Sequence, residues 1–116
     1  MSVVIYHNPK CSKSRETMVL LGSRGIEPTV IKYLETGLTV GQLKSLYEQL
    51  ELDSVRKMMR TKEALYKELN LKDETLSDEA LFQAMADHPK LIERPIVVSG
   101  GKARHGRPPE KVLEIL

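Results

Sequence analysis

The sequence predicts an α/β fold in which a βαβ unit is followed by a helical insertion and a ββα unit. Near the start, two short β-branched segments, residues 3–6 and 28–33, are separated by a helix-length stretch. Near the other end, Gly100-Gly101 separates two more strand-like segments. Strands joined through a helix pair in parallel, and strands joined by a two-residue loop pair antiparallel. We therefore expect a mixed four-stranded sheet.

The first strand and the first helix meet at the only cysteine. An Asn-Pro pair ends the strand, and residues 12–21 contain neither Gly nor Pro and carry apolar residues for one helical face. The helix N-terminus is therefore expected at or next to Cys11. Gly22 and Gly25 are candidate C-terminal stops, and residues 28–33 form the second strand.

A helical insertion is predicted over about residues 39–87. Candidate N-caps of its helices are Thr39, Asp53, Thr61 and Ser77. The first of these is followed three residues later by Gln42, which is capping-box spacing, and leucines at helical spacing then predict a helix over residues 40–50. The helix begun by Ser77 should end before His88, because a proline follows that residue.

The last part of the chain predicts an antiparallel hairpin and a final helix. Residues 95–99 and 102–105 are the two strands, and glycines at both loop positions permit the positive φ angles of primed turns. Pro108-Pro109 begins the helix. Its expected buried stripe is Val112, Leu113 and Leu116.

Length and composition limit the classes of function. The 116 residues, 41% of them hydrophobic, suit one domain over residues 1–116 with a real core. The 18 basic residues nearly balance the 16 acidic ones, so no nucleic-acid partner is expected, and no apolar run suggests a membrane span. A single cysteine forms no internal disulfide, which favours a cytoplasmic location. We expect the protein to be a monomer.

Cys11 is the strongest candidate for chemistry. At a helix N-terminus the first-turn N–H groups favour a thiolate, and Lys10, Lys13 and Arg15 add positive charge that lowers a cysteine pKa. The rival interpretation is a small buried hydrophobic residue, but the neighbours of this cysteine are polar. With no second cysteine, turnover requires a thiol from outside the chain.

The remaining histidines and two of the tyrosines are expected to have structural rather than catalytic roles. His88 is expected at a helix end, His105 in a strand or loop, and Tyr33 and Tyr66 in the core. No second ligand stands at a recognisable spacing from either histidine, so no metal site is expected.

Three motifs carry a family resemblance. They are Tyr6-His7-Asn8-Pro9-x-Cys11-x-x-Ser14-Arg15, Arg94-Pro95-Ile96-Val97-Val98 and Arg107-Pro108. In this order and spacing they resemble the glutaredoxin-dependent arsenate reductase family, in particular its short members, which have a thioredoxin-like fold. In place of the second cysteine of a thioredoxin Cys-x-x-Cys site, this chain has Ser14.

The resemblance implies a set of site residues. They are Cys11 as nucleophile, His7 and Ser14 for thiolate activation, Arg60, Arg94 and Arg107 for oxyanion binding, and Pro95 as a cis proline. Guanidinium groups suit this role because they stay charged and make bidentate contacts with oxyanions. The implied reaction is reduction of arsenate to arsenite, with glutathione as co-substrate, glutaredoxin as partner and no bound cofactor.

Two other functions are open. The fold also resembles the Spx-type redox-responsive regulators that bind RNA polymerase, but those carry a second cysteine where this chain has Ser14. A general monothiol oxidoreductase that acts on glutathione mixed disulfides is the other alternative. The presence of Arg107, which oxyanion chemistry needs and a protein contact does not, favours the reductase.

Overall fold

The computed structural model describes residues 2–116. The strands are β1 (Val3–Tyr6), β2 (Thr29–Ile31), β3 (Ile96–Ser99) and β4 (Lys102–His105). The α-helices are α1 (Ser12–Ser23), α2 (Tyr33–Thr36), α3 (Val40–Leu50), α4 (Ala64–Glu68) and α5 (Asp78–Asp87). Three 3₁₀ helices cover Val55–Met58, Pro89–Leu91 and Pro109–Ile115.

The sheet is mixed and four-stranded, as the sequence predicted, with strand order β2-β1-β3-β4. β1 pairs parallel with β2 and antiparallel with β3, which pairs antiparallel with β4. Ile5 is central to this arrangement, because it lies opposite Val30 on one side and Val97 on the other. The parallel pair places the carboxyl ends of β1 and β2 at one edge, where the loop to Cys11 begins.

Helices cover both faces of the sheet. On one face, α1 and the last 3₁₀ helix share a buried cluster with the sheet, formed by Val3, Ile5, Leu21, Val97 and Val112. On the other face, the helices between β2 and β3 form a larger cluster that includes Ile96 and Ala103 from the sheet. Successive side chains of a strand point to opposite faces of the sheet, so Ile96 packs in the larger cluster and Val97 in the smaller one.

Local capping signals account for the best-predicted helices. The side chain of Thr39 accepts from the N–H of Gln42 while the glutamine side chain caps the threonine N–H, and α3 spans residues 40–50 as expected. Ser77 accepts from the N–H of Ala80 and begins α5. In the hairpin, Gly100 and Gly101 have φ angles of 59° and 80°, which are typical of a primed turn.

Several predicted boundaries are wrong. β2 is shorter than residues 28–33, and Tyr33 begins a helix instead. Ser54 and Glu63, not Asp53 and Thr61, are the N-caps of the next two helices. The side chain of Ser54 accepts from the N–H of Arg56, whereas the side chain of Glu63 makes no capping hydrogen bond. All of these differences concern the ends of elements, where sequence signals for exact boundaries are weak.

The end of the chain also differs from expectation. The last helix is a 3₁₀ helix rather than an α-helix, so its residues repeat every three positions. Val112 is buried, whereas Leu113 is only partly buried and Leu116 is exposed. Between β2 and β3 the helices run from Tyr33 to Leu91, slightly beyond the expected insertion of residues 39–87.

Candidate active site

Cys11 is the N-cap residue of α1, with φ −91° and ψ 125°. Its N–H donates to the carbonyl oxygen of Asn8 at 3.0 Å, and its own carbonyl accepts from the N–H of Arg15 at 3.0 Å. The side chain makes no capping hydrogen bond and is 9% exposed. The sulfur therefore lies at the positive end of the helix dipole, and it does not cap the helix through a hydrogen bond.

The pKa of the Cys11 thiol is lowered from its ordinary value of 9.0. Burial alone would raise it, but the backbone N–H groups of Ser14 and Lys13 and the hydrogen bond and charge of Arg94 outweigh burial. The helix-start position predicted this direction, whereas the leading cation is Arg94 rather than a neighbour in sequence. A thiolate is the nucleophilic form of cysteine, so the site favours the reactive state.

His7 and Ser14 form a buried pair behind the cysteine. Oγ of Ser14 lies 2.6 Å from Nδ1 of His7 and accepts from the N–H of Asn8 at 3.0 Å. Burial and the charges of Lys32 and Arg15 lower the pKa of His7, which favours the neutral imidazole. The contact of this pair with the sulfur runs through the backbone N–H of Ser14.

The fold brings all three candidate arginines to one place. Nη1 of Arg107 lies 3.9 Å from Sγ of Cys11, at the long end of hydrogen-bond range for sulfur, and donates to the carbonyl oxygen of Arg94 at 3.2 Å. Arg60 joins them through a shared carboxylate, since its Nε lies 3.9 Å from Oε1 of Glu93. The three arginines are therefore linked to one another through Glu93 and the Arg94 carbonyl.

A short backbone contact docks the insertion that carries Arg60. The N–H of Arg60 donates to the carbonyl oxygen of Leu91 at 2.7 Å, and Met59 and Ile92 form an isolated antiparallel bridge. Only Glu93 separates Ile92 from Arg94. Two of the three arginines are thus fixed relative to each other by backbone pairing.

Glu93 is a site residue that sequence reasoning missed. Its Oε1 atom lies 3.6 Å from Nε of Arg107 and accepts from the backbone N–H of Arg94 at 3.3 Å. No local pattern could have identified it, because its partners Arg60 and Arg107 are distant in sequence.

Gly106 was missed as well. A Cβ atom at this position would lie 2.3 Å from Oγ1 of Thr17 and 2.8 Å from Cγ of Pro95. The N–H of Gly106 donates to the carbonyl oxygen of Pro95 at 3.0 Å. A glycine is therefore required for the chain to pass between α1 and Pro95 and carry Arg107 towards the cysteine.

Two X-Pro bonds in residues 2–116 are cis, Arg94–Pro95 and Arg107–Pro108. The family resemblance implied the first. The second was not anticipated.

Tyr33 is a core residue, as expected, but it also borders the site. It is 1% exposed, and its hydroxyl has no hydrogen-bond partner among the described residues. Burial raises its pKa, and the charges of Arg94, Cys11 and Glu93 also act on it. The site therefore has a neutral phenol at its inner side.

The remaining histidines lie at the ends of secondary-structure elements. His88 follows α5 at its C-terminal end, and His105 ends β4. Within residues 2–116, no group of three or more His, Cys, Asp or Glu side chains is arranged to hold a metal ion. The same part of the chain contains no helix both long and apolar enough to cross a membrane.

The strand order and the single cysteine at the start of the first helix define a protein with a thioredoxin-like fold. The chain belongs to the ArsC family, whose family model matches residues 6–115.

Relatives of the chain include proteins named arsenate reductase. A protein of Haemophilus influenzae named arsenate reductase is 57% identical, with 100% of both chains covered. Another relative, the protein YfgD of Escherichia coli strain K12, is 62% identical over 98% of this chain and 96% of its own length. A solved structure described as arsenate reductase from Vibrio cholerae is 74% identical, with a TM-score of 0.99 over 100% of this chain and 98% of that one.

Proposed function

We propose that this protein reduces arsenate to arsenite, with glutathione as co-substrate and glutaredoxin as the partner that regenerates Cys11. The observation that carries the proposal is a cysteine with a lowered pKa whose sulfur lies 3.9 Å from Nη1 of Arg107 and beside Arg94. A thiolate and an arsenate dianion repel each other, and guanidinium groups at this position offset that repulsion. The relatives named arsenate reductase support the same substrate.

In the first step the Cys11 thiolate attacks arsenic. A sulfur–arsenic bond forms, one arsenic–oxygen bond breaks, and the oxygen leaves as water after taking protons from solvent. Arsenic stays at oxidation state five. Negative charge is concentrated on the remaining arsenate oxygens as the adduct forms. These oxygens are held by the guanidinium groups of Arg60, Arg94 and Arg107.

In the second step a glutathione thiolate attacks the Cys11 sulfur. A disulfide forms between them, and the electron pair of the sulfur–arsenic bond passes to arsenic, which departs as arsenite. A glutaredoxin thiolate then attacks the glutathione sulfur and releases the Cys11 thiolate. The reductant is external because the chain has one cysteine. This chemistry suits the cytoplasm, where glutathione is kept reduced.

The test is arsenate reduction with glutathione and glutaredoxin, followed as NADPH consumption by glutathione reductase. We expect no turnover for Cys11→Ser and at least tenfold lower kcat/KM for Arg94→Ala. Arg24→Ala, which changes an exposed arginine beyond α1, should behave as wild type. Full activity of Cys11→Ser would refute the mechanism. Turnover of a glutathione mixed disulfide but not of arsenate would replace it with a general monothiol oxidoreductase.

A further inference from the structure

Two enclosed polar groups at the site lack hydrogen-bond partners among residues 2–116. They are the hydroxyl of Tyr33 and Nε of Arg94. An unsatisfied buried donor or acceptor is costly, and native proteins contain few of them. Tyr33 and Arg94 both border Cys11. Their unpaired groups therefore indicate that the site has another state in which these groups form hydrogen bonds.

Topology places the two groups at the same edge of the sheet. Tyr33 begins α2 directly after β2, and the N–H of His7 donates to the carbonyl oxygen of Ile31 at 2.9 Å, so the ends of β1 and β2 lie side by side. α2 packs against the 3₁₀ helix Pro89–Leu91, which leads into Arg94. The charge of Arg94 acts directly on the Tyr33 hydroxyl.

The two groups are chemically complementary. The Nε–H of an arginine only donates, and a phenol oxygen accepts. Tyr33 remains protonated at neutral pH because burial raises its pKa. Its hydroxyl is too enclosed to reach a ligand itself, so any effect on a bound anion passes through a neighbouring side chain.

We propose that Tyr33 is a positioning residue for Arg94: when an oxyanion binds, the Tyr33 hydroxyl accepts a hydrogen bond from Nε of Arg94. This contact directs the two Nη groups towards the anion beside Cys11. The inference rests on the proposed function only in taking a tetrahedral oxyanion as the ligand. Pairing would satisfy both enclosed groups at once, and anion binding would select the paired arrangement.

The test uses Tyr33→Phe, which keeps the buried ring and removes the hydroxyl. The readout is the concentration of arsenate, or of inorganic phosphate, that protects Cys11 from iodoacetamide at neutral pH. We expect the variant to need about tenfold more of either anion, as for loss of a hydrogen bond to a charged group. Without anion, the midpoint pH of Cys11 alkylation should stay at the wild-type value, because the two groups are unpaired in the free site.

The matched control is Tyr66→Phe, a buried tyrosine of the same hydrophobic cluster outside the site, which should change neither readout. A purely structural role for the Tyr33 hydroxyl would alter the free energy of unfolding but leave anion protection of Cys11 unchanged. Unchanged anion protection in Tyr33→Phe would overturn the inference.

A double-mutant cycle separates positioning from direct binding. In an Arg94→Ala background, Tyr33→Phe should have no further effect on anion protection. An equal loss of anion protection in both backgrounds would show that Tyr33 does not act through Arg94, and it would overturn the inference. The inference would also be overturned if neither arsenate nor phosphate protected Cys11 in the wild type. Protection does not require reduction, so intact protection without arsenate turnover would refute only the proposed function.

Discussion

Oε1 of Glu93 lies 3.6 Å from Nε of Arg107 and 3.9 Å from Nε of Arg60. One carboxylate is therefore shared by two of the arginines that are candidates for anion binding. The Glu93 side chain is 25% exposed, so each ion pair is worth about 0–1 kcal/mol. A bound oxyanion would compete with this carboxylate for the same guanidinium groups.

Glu93→Gln should bind oxyanions more tightly. The amide keeps an acceptor for the Arg94 N–H but removes the negative charge, so we expect the KM for arsenate to fall about three- to tenfold with little change in kcat. Steady-state kinetics and phosphate protection of Cys11 measure this. Glu27→Gln, an exposed site with the same change in net charge, is the control. A raised KM would mean that the carboxylate mainly holds the arginines in place.

Ser14→Ala should destabilise the fold while leaving the thiol reactive. It leaves the buried N–H of Asn8 without its acceptor and His7 without its partner, a cost of about 1–3 kcal/mol. Urea unfolding measures this, with the exposed Ser12→Ala as control, expected within about 0.5 kcal/mol of wild type. The backbone N–H of Ser14 is retained, so the alkylation midpoint should stay near that of wild type. A large upward shift would assign the hydroxyl a direct effect on the thiol.

Gly106→Ala should lower both stability and activity. Its Cβ would lie 2.3 Å from Oγ1 of Thr17, so the chain carrying Arg107 must move, at a cost of about 1–3 kcal/mol. Thermal unfolding and arsenate turnover measure the two effects. Adding Thr17→Ala should restore part of the loss, because it removes one of the two blocking side chains.

The matched control for that experiment is Gly22→Ala within α1, where a Cβ would meet nothing within 4 Å. It should stabilise the helix by up to about 1 kcal/mol. Equal effects of the two alanines would contradict the steric argument.

His105 should make stability depend on pH in the acidic range. Burial and the charge of Arg107 lower its pKa from 6.5 to about 4, so the folded protein holds it neutral. Between these values the unfolded chain binds more protons, and stability therefore falls as the pH falls from 6.5 towards 4, by at most about 3 kcal/mol. Urea unfolding of wild type and His105→Gln across this range measures the difference. Parallel pH profiles would show that another group is responsible.

Predictions from sequence succeeded where the determining contacts are local. Thr39 and Gln42 lie three residues apart and fixed the start of α3, and the Cys11 position followed from a strand, a turn and a helix in succession. The hairpin was predicted because both of its loop residues are glycines. Short-range hydrogen bonds of this kind leave a readable pattern.

What could not be predicted depends on contacts across the chain. The role of Glu93 requires the insertion to dock through Met59 and Ile92, and the need for glycine at position 106 requires α1 to lie against Pro95. Tyr33 was correctly assigned to the core, but its position beside Arg94 follows from the packing of α2. No spacing within one segment encodes these relationships.

The separation in sequence between Cys11 and Arg107 has a consequence for how activity arises during synthesis. The N-terminal βαβ unit carries the cysteine at its helix start, but Arg94 and Arg107 are added much later by the ribosome. Until then the growing chain carries the Cys11 thiol without the two distant arginines that the proposed anion site requires. Anion-sensitive alkylation of Cys11 would therefore report completion of the native fold as well as the state of the active site.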